Sequence, residues 1–326
     1  MQNHEVPILS IIIVNYNVRD EIINCIESIK DHINPYDTPY EVIVSDNGSS
    51  DGSVEAIRKR FPWVNIIENN ANLGFGKANN IGAKIAKGSL LCFLNPDTLI
   101  KNGIKDMIQY LMDHQDVGFI SPVVYEPDGV TLAYLYKPIY FYLSLQLVDL
   151  FLPPLARLFY TYQKYQQKIN LSKQMPFSPQ LVHGCIMVFK KEIFFKIGGF
   201  DEQIFMYGEE TDIWFKLKRV KIKPIIFPYA SIIHLGSRSV NKVPKLSTES
   251  RGAESLRYLL KKYFPFTWYM RYSIELMSQA RQVLSNYITA GIYFFIKKDY
   301  KESMINARKH TIKLKAFYRA LISRSI

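Results

Sequence analysis

The sequence predicts an α/β fold: a mostly parallel central sheet flanked by helices, with a helical C-terminal extension. Two observations carry this. Over the first 125 residues, short β-branched runs alternate with stretches of helical periodicity, the pattern of parallel strands joined by right-handed crossovers. Three segments also pass abruptly into carboxylates, amides and glycines: Ser10–Asn17 (SIIIVNYN), Ser45–Ser53 (SDNGSSDGS) and Leu91–Asp97 (LCFLNPD). Strand tips in an α/β sheet look like this, and ligands sit in the crevice beyond them.

The elements follow in order. Ile8–Val14 is β-branched, too short for a helix, and reads as the first strand. Arg19–Lys30 carries Ile22, Ile23, Ile26 and Ile29 at helical spacing. Tyr40–Val44 is the second strand, and Gly52–Phe61 a helix entered from an Asp/Ser turn in which Asp51 or Ser53 would cap. Val64–Glu68 is the third strand. Asn69–Gly76 is a polar glycine loop before a helix over Lys77–Lys87, and Ser89–Leu94 is the fourth strand. A helix over Ile104–His114 and a strand over Val117–Val124 complete the alternation. Tyr125–Gln180, rich in Tyr, Leu and Pro, reads as an insertion with one or two helices. Regular patterning returns with a strand at Leu181–Phe189, helices at Lys191–Ile197 and Thr211–Lys221, and extended segments at Pro224–Pro228 and Ala230–His234. From about Thr248 the chain is helical, basic and aromatic. The domain expectation is a catalytic domain over 1–247 and a C-terminal region over 248–326.

At 326 residues the chain can bury a substantial core, and 48% hydrophobic with 21% charged residues is ordinary globular composition. Cys25, Cys92 and Cys185 make no CxxC pair and read as buried thiols in a reducing compartment, not as disulfides or a zinc site. Met1–Pro7 is polar, so no signal peptide is expected. The longest apolar stretch, Pro138–Ala156, is broken by Asp149 and Pro153-Pro154, short of a membrane span. The expected location is the cytoplasm, including the inner face of the cell membrane. Of the net charge of +12, nearly all lies in Arg251–Ile326, where 15 Lys and Arg face 4 acids. Such a tail suits an anionic membrane surface, or helix packing on the catalytic domain or in a homodimer. It holds no nucleic-acid reader motif, so no nucleic-acid partner is expected.

Five places carry side chains suited to chemistry. Asp46, at the second strand tip, is an acceptor-only group able to take the imide N–H of a pyrimidine or a ribose hydroxyl. Asx-turn chemistry is the competing explanation. Gly74-x-Gly76 precedes a helix bearing Lys77 and Asn79, where glycines can admit phosphate or ribose. Asn79 stands where a dinucleotide fingerprint needs its third glycine, which disfavours an NAD site. Asn95-Pro96-Asp97 puts one carboxylate past a stiffened strand end, a pattern suited to Mg²⁺ or Mn²⁺ on a diphosphate, or to another turn. Gly208-Glu209-Glu210-Thr211-Asp212, after Tyr207, suits a general base with a raised pKa. The helix macrodipole alone explains part of this acidity. His234 ends a strand before Leu235-Gly236-Ser237-Arg238-Ser239, where it could join a metal site and Arg238 could hold phosphate.

Taken in order, these segments resemble the inverting family 2 glycosyltransferases of GT-A fold. The matching text is SIIIVNYN, SDNGSSDGS, NLGFGKANNIG, FLNPD, HGCIMVFKKEIFFKIGGFDEQIFMYGEETD and HLGSRS, across roughly residues 8–240. Within the family the chain looks most like bacterial rhamnosyltransferases of surface polysaccharide synthesis. The resemblance implies a dTDP- or UDP-linked sugar donor, a glycan or lipid-linked acceptor, and a Mg²⁺ or Mn²⁺ cofactor. It implies nucleotide-sugar binding by Asn15, Asn17, Asp46, Gly74, Lys77, Asn79, Asn95 and Arg238, and metal ligation by Asp97 and His234. Glu210 would be the catalytic base with Glu209 beside it, and Asp212 and Tyr207 would support the site or contact the acceptor. Where the family often has Gly-Glu-Asp, this chain has Gly208-Glu209-Glu210, which leaves the base open between the two glutamates. Two other function classes stay in view. Nucleotidyl transfer is disfavoured because Asn15–Asp20 lacks a Gly-rich, Lys/Arg-bearing loop, and a non-catalytic sugar-nucleotide binder would show no transfer from a labelled donor.

Overall fold

The computed structural model describes residues 6–133, 143–179, 182–236, 245–295 and 301–322. The chain divides into two compact units, Met1–Leu135 with Gln166–Ser239, and Tyr136–Tyr165 with Val240–Ile326.

The first unit is built on an eight-stranded mixed sheet. Its N-terminal half follows the predicted alternation: β1 (Leu9–Asn15), α1 (Arg19–His32), β2 (Tyr40–Asp46), α2 (Ser53–Arg60), β3 (Asn65–Glu68), α3 (Phe75–Ile85) and β4 (Leu90–Leu94). These four strands pair in parallel in the order β3-β2-β1-β4. They read as nearly unbroken apolar runs because helices cover both faces. Ile11, Ile13, Val42 and Val44 point to the side of α1, where Ile22, Ile26 and Ile29 are buried. Ile12, Ile43, Leu91 and Phe93 point to the other, onto Ala83 of α3. α2 starts at Gly52, in the left-handed region, and has no side-chain cap. Asp51 instead accepts the Ser53 N–H in an Asx turn and the Arg19 N–H across the tip.

The second half of the sheet continues with β5 (Thr98–Asn102), α4 (Ile104–Asp113), β6 (Phe119–Tyr125), β7 (Ile186–Lys190), α7 (Lys191–Lys196), α8 (Glu209–Arg219) and β8 (Ile225–His234). The order continues β4-β7-β6-β8-β5. β7 is antiparallel to β4 and β6, β8 is parallel to β6, and β5 is antiparallel to β8. Only β5 and β7 therefore run against the rest, in keeping with a mostly parallel sheet. The two predicted segments around Pro228 are one strand with a register shift. Phe227 faces Pro122, and Ser231 faces the next residue, Val123. Proline has no N–H to give the ladder, which accounts for a bulge there.

The expected strand Leu181–Phe189 begins only at Ile186, and His183-Gly184-Cys185 forms the turn before it. Because β7 is antiparallel to β4, with Leu94 opposite Ile186, this turn lies beside Asn95-Pro96-Asp97. Because β5 is antiparallel to β8, with Thr98 opposite His234, the end of β8 arrives at the same place. Topology alone thus gathers residues from 95 to 234 at one sheet edge.

The 125–180 insertion contains α5 (Leu143–Phe151) and α6 (Pro153–Ser172). The prolines that interrupt the apolar run occupy the first turn of α6, where a missing N–H costs nothing. The second unit adds α9 (Lys245–Tyr263), α10 (Trp268–Phe295) and α11 (Lys301–Ile322). Its core joins Leu256, Leu260, Tyr272 and Phe317, and the buried Tyr272 hydroxyl donates to the Phe317 carbonyl at 2.8 Å. Asp149 of α5 is held by Ser278 and Arg281 of α10. Among the described residues no helix is long and apolar enough to cross a membrane.

Candidate active site

The β1 and β2 tips form one polar knot. The Asn15 amide, fully buried, donates to Asp46 Oδ1 at 2.6 Å, to Ser53 Oγ at 2.7 Å and to Ser49 Oγ at 3.0 Å. Asp46 Oδ2 accepts the backbone N–H groups of Gly48 and Ser49 at 3.0 and 2.9 Å. Turn chemistry therefore accounts for the Asp46 carboxylate better than the sequence indicates, and its first effect is to shape the tip. Asn17, at φ +55°, accepts the Ser50 N–H and clamps the same turn from the other strand.

The glycine loop is explained by packing. Gly74 has φ +83°, and a Cβ there would stand 2.5 Å from the Phe205 carbonyl oxygen, which accepts the Phe75 N–H. Only glycine permits that approach. Asn47 bridges to the loop through the Gly74 carbonyl. Lys77 is exposed, whereas Asn79 is buried with its amide on the Phe75 carbonyl and its Oδ1 without a hydrogen-bond partner. Asn80, which sequence reading passed over, locks α3 to the Gly-Gly-Phe turn by exchanging bonds with both backbone groups of Phe200.

At the shared sheet edge, Asp97 is 4% exposed and its Oδ1 lies 3.4 Å from His234 Nε2. Its backbone carbonyl accepts the Leu235 N–H, so the two tips are also tied through the main chain. Asn95 Oδ1, two residues before Asp97 in the same tip, is buried with no hydrogen-bond partner. The His183 and His234 rings stand 5.6 Å apart. Glu210 completes the edge, its carboxylate 3.5 Å from where a Gly184 Cβ would be. One carboxylate and one imidazole within 3.4 Å are donors that a hard or borderline divalent cation accepts. Arg238 lies outside the described residues.

The acidic pair opens α8 behind Gly208, and Tyr207 before it holds φ +69°. That conformation is strained for an aromatic residue, costing on the order of 1–3 kcal/mol, and it turns the chain sharply into the helix. Asp212 is fully buried and paired with Lys216 at 2.8 Å, while Lys216 also donates to the Gly199 carbonyl. Asp212 therefore braces α8 against the Gly-Gly-Phe turn. Glu210 is half-buried, and burial raises its pKa. Glu209 is more enclosed. Burial first, and then the neighbouring Glu210, push it up to about 8, and its Oε1 has no hydrogen-bond partner. Its ordinary value is 4.5, so between 4.5 and about 8 the unfolded chain is ionised while the folded chain keeps the proton. Stability contributed by Glu209 is thus full below that window and lost as pH rises through it. Glu209→Gln, which cannot ionise, is expected to raise Tm by roughly 2–6 °C at about pH 8 and by almost nothing near pH 4, read by thermal unfolding across pH. A gain independent of pH would show that Glu209 is not held protonated.

With this geometry in hand, comparison decides the family. The family model described as glycosyl transferase family 2 matches residues 10–198, more than half of the chain. The chain belongs to glycosyl transferase family 2. A second model, the N-terminal domain of galactosyltransferase, matches residues 168–235. This glycosyltransferase is 24% identical over 263 residues to the N-acetylglucosaminyl-diphospho-decaprenol L-rhamnosyltransferase of Mycobacterium tuberculosis, covering 74% of this chain and 82% of that one. It is 23% identical over 264 residues to the rhamnosyltransferase WbbL of Escherichia coli, covering 77% and 92% respectively. Among solved structures, the mannosyltransferase PcManGT of Pyrobaculum calidifontis, in complex with GDP-Man and Mn²⁺, aligns with a TM-score of 0.57 at 16% identity over 99% of this chain and 89% of its own. GalNAc-T7 with UDP, GalNAc and Mn²⁺ aligns at 0.52 and 16% identity over 71% of this chain and 43% of that chain. The central sheet of this glycosyltransferase is thus of GT-A type.

The fold brings Asp97, His234 and Glu210 to one edge, and Asn15, Asn17 and Asp46 to the neighbouring tips. Sequence reading gives no role to His183 of the glycosyltransferase and marks Cys185 only as a buried thiol, not as a metal ligand. Their signal was the His-Gly-Cys break at the head of an apolar run, masked by Leu181 and Val182, which made the run look like continuous strand.

Proposed function

We propose that this glycosyltransferase moves a sugar, with inversion and divalent-metal dependence, from a dTDP- or UDP-linked donor to a hydroxyl of a glycan or lipid-linked acceptor. The observation that carries the reading is the convergence of Asp97, His234 and Glu210 on the turn at His183–Cys185. Rhamnose is the sugar we assign, supported by the names of two curated relatives. Glu210 takes the proton of the acceptor hydroxyl. The acceptor oxygen attacks the anomeric carbon from the face opposite the diphosphate, the bond to the leaving oxygen breaks, and configuration inverts. Asn15 and Asp46 set the strand tips that receive the nucleoside, with Asn17 clamping the turn. Asn79 and Asn95 offer unpartnered amide oxygens to donor hydroxyls, Lys77 and Arg238 offer positive charge to the diphosphate, and Tyr207 faces the acceptor. Asp97 and His234 would hold Mg²⁺ or Mn²⁺, which when bound neutralises charge developing on the leaving diphosphate. Incubation with a panel of labelled nucleotide sugars and Mn²⁺ tests the reading. Release of nucleoside diphosphate with transfer from a rhamnose donor is expected. Saturable donor binding without release or transfer would make the chain a binding protein.

A second proposal concerns where it works. In the second unit α6 exposes Leu155, Leu158, Tyr162 and Tyr165 at three- and four-residue spacing, and α10 exposes Met277, Leu284, Ile288 and Ile292. With the basic surplus of 251–326, these stripes fit an anionic lipid surface, as a lipid-linked acceptor requires. The chain is expected to float with vesicles containing anionic lipid, and Leu158→Glu with Leu284→Glu to remain in the lower fraction. Equal flotation of both proteins would remove the idea. Dimerisation without flotation would assign the stripes to a second copy.

A further inference from the structure

We propose that His183, Cys185 and His234 form a binding site for a thiophilic divalent metal, Zn²⁺ being the type, and that its occupation draws His234 away from Asp97. The donor atoms of the three residues lie within 4.8 Å of one another. Zinc takes sulfur at about 2.3 Å and imidazole nitrogen at about 2.0–2.1 Å, which sets tetrahedral donors roughly 3.5 Å apart. Side-chain rotation closes the difference, and a fourth position is left to water.

The site is built by topology. His183 and Cys185 flank Gly184 in the turn that opens β7, held there because the Asn95 N–H donates to the Cys185 carbonyl at 2.8 Å. His234 arrives at the end of β8, its ring 5.6 Å from that of His183. Two imidazoles and a thiol are the wrong donors for Mg²⁺, which wants oxygen, and the right ones for Zn²⁺. The Cys185 thiol gives its proton to solvent as the metal binds. Cys25 and Cys92 are equally buried, yet among the described residues neither belongs to such a cluster.

His234 is the shared element. Its Nε2 stands 3.4 Å from Asp97, and the same residue belongs to the cluster with His183 and Cys185, so a metal bound there through Nε2 takes that nitrogen from Asp97. The regulatory consequence rests on the proposed function: Zn²⁺ here antagonises Mn²⁺-dependent donor binding. Neither His183 nor Cys185 has a part in the proposed transfer, so the cluster is a separate use of the same strand tips.

Optical titration of the chelator-stripped full chain with Co²⁺, followed by Zn²⁺ displacement, tests this without reference to activity. A thiolate-to-cobalt absorption and a tetrahedral visible spectrum are expected, both bleached by Zn²⁺. Cys185→Ser should lose the thiolate absorption, and His183→Asn should bind Co²⁺ at least tenfold more weakly. An unmodified chain that gives only the faint spectrum of octahedral cobalt overturns the proposal, as does a thiolate absorption that survives in Cys185→Ser. Asp97→Ala separates the two readings. It keeps the cobalt spectrum, whereas its loss of Mn²⁺-dependent donor binding bears only on the proposed function.

Discussion

Glu210→Gln is expected to lower turnover by about a thousandfold while leaving the dissociation constant for the donor within about twofold. The first figure is what general-base catalysis contributes in typical enzymes, on the order of 10²–10⁴. The second follows from place: Glu210 sits over Gly184, while the donor-side groups stand on the tips of β1, β2 and β4. Gln keeps the volume of Glu, so packing over Gly184 survives and the loss reports on proton transfer. Burial raises the Glu210 pKa, so the acid limb of kcat/KM should lie above the ordinary carboxylate range and vanish with the substitution. Glu209→Gln provides the contrast. Glu209 is 7% exposed and holds its proton to about pH 8, so the amide removes no charge near neutrality and should cost less than about tenfold in turnover. Reversal of the two effects would assign the base to Glu209.

The parallel half of the sheet was legible because burial on both faces forces continuous apolar strands, and each ends in a break no strand tolerates. β5 was not, because Thr98–Asn102 carries Lys101 and Asn102 and becomes a strand only through its partner β8. β8 itself read as two pieces, since Pro228 looks like a terminator when the bulge that accommodates it is unknown. At the site, residue types named the chemistry but not the load each residue already bears. Asp46 and Gly74 looked free for ligand from their letters alone. In the structure the first spends its Oδ2 on two backbone N–H groups, and the second exists to let Phe205 approach. Asp212, expected to support the site or contact the acceptor, is paired in the structure with Lys216 one turn on. The meeting of Asp97 with His234, 137 positions apart, is a property of the antiparallel pairing of β5 with β8, which no local pattern encodes.

Asp97→Ala carries the other large expected effect: donor binding in the presence of Mn²⁺ should weaken by about a hundredfold or more, close to 3 kcal/mol. The fold around the carboxylate gives this test its meaning. Pro96 fixes the backbone before it. The Asn95 N–H is held by Cys185, the Thr98 hydroxyl donates to the Asn95 carbonyl at 2.7 Å, and the Asp97 carbonyl receives the Leu235 N–H. None of these bonds uses the Asp97 side chain, so the tip keeps its shape when the carboxylate is removed. What goes is the carboxylate oxygen 3.4 Å from His234. Calorimetry of donor binding with Mn²⁺ and with chelator should show a large metal-dependent gain in the unmodified chain and almost none in the variant. The affinity in chelator should be nearly the same for both. If the variant keeps the full gain, the metal is held elsewhere and Asp97 is only a turn residue. If the unmodified chain binds donor as tightly in chelator as with Mn²⁺, charge on the diphosphate is met by protein cations, and Lys77 and Arg238 become the residues to remove.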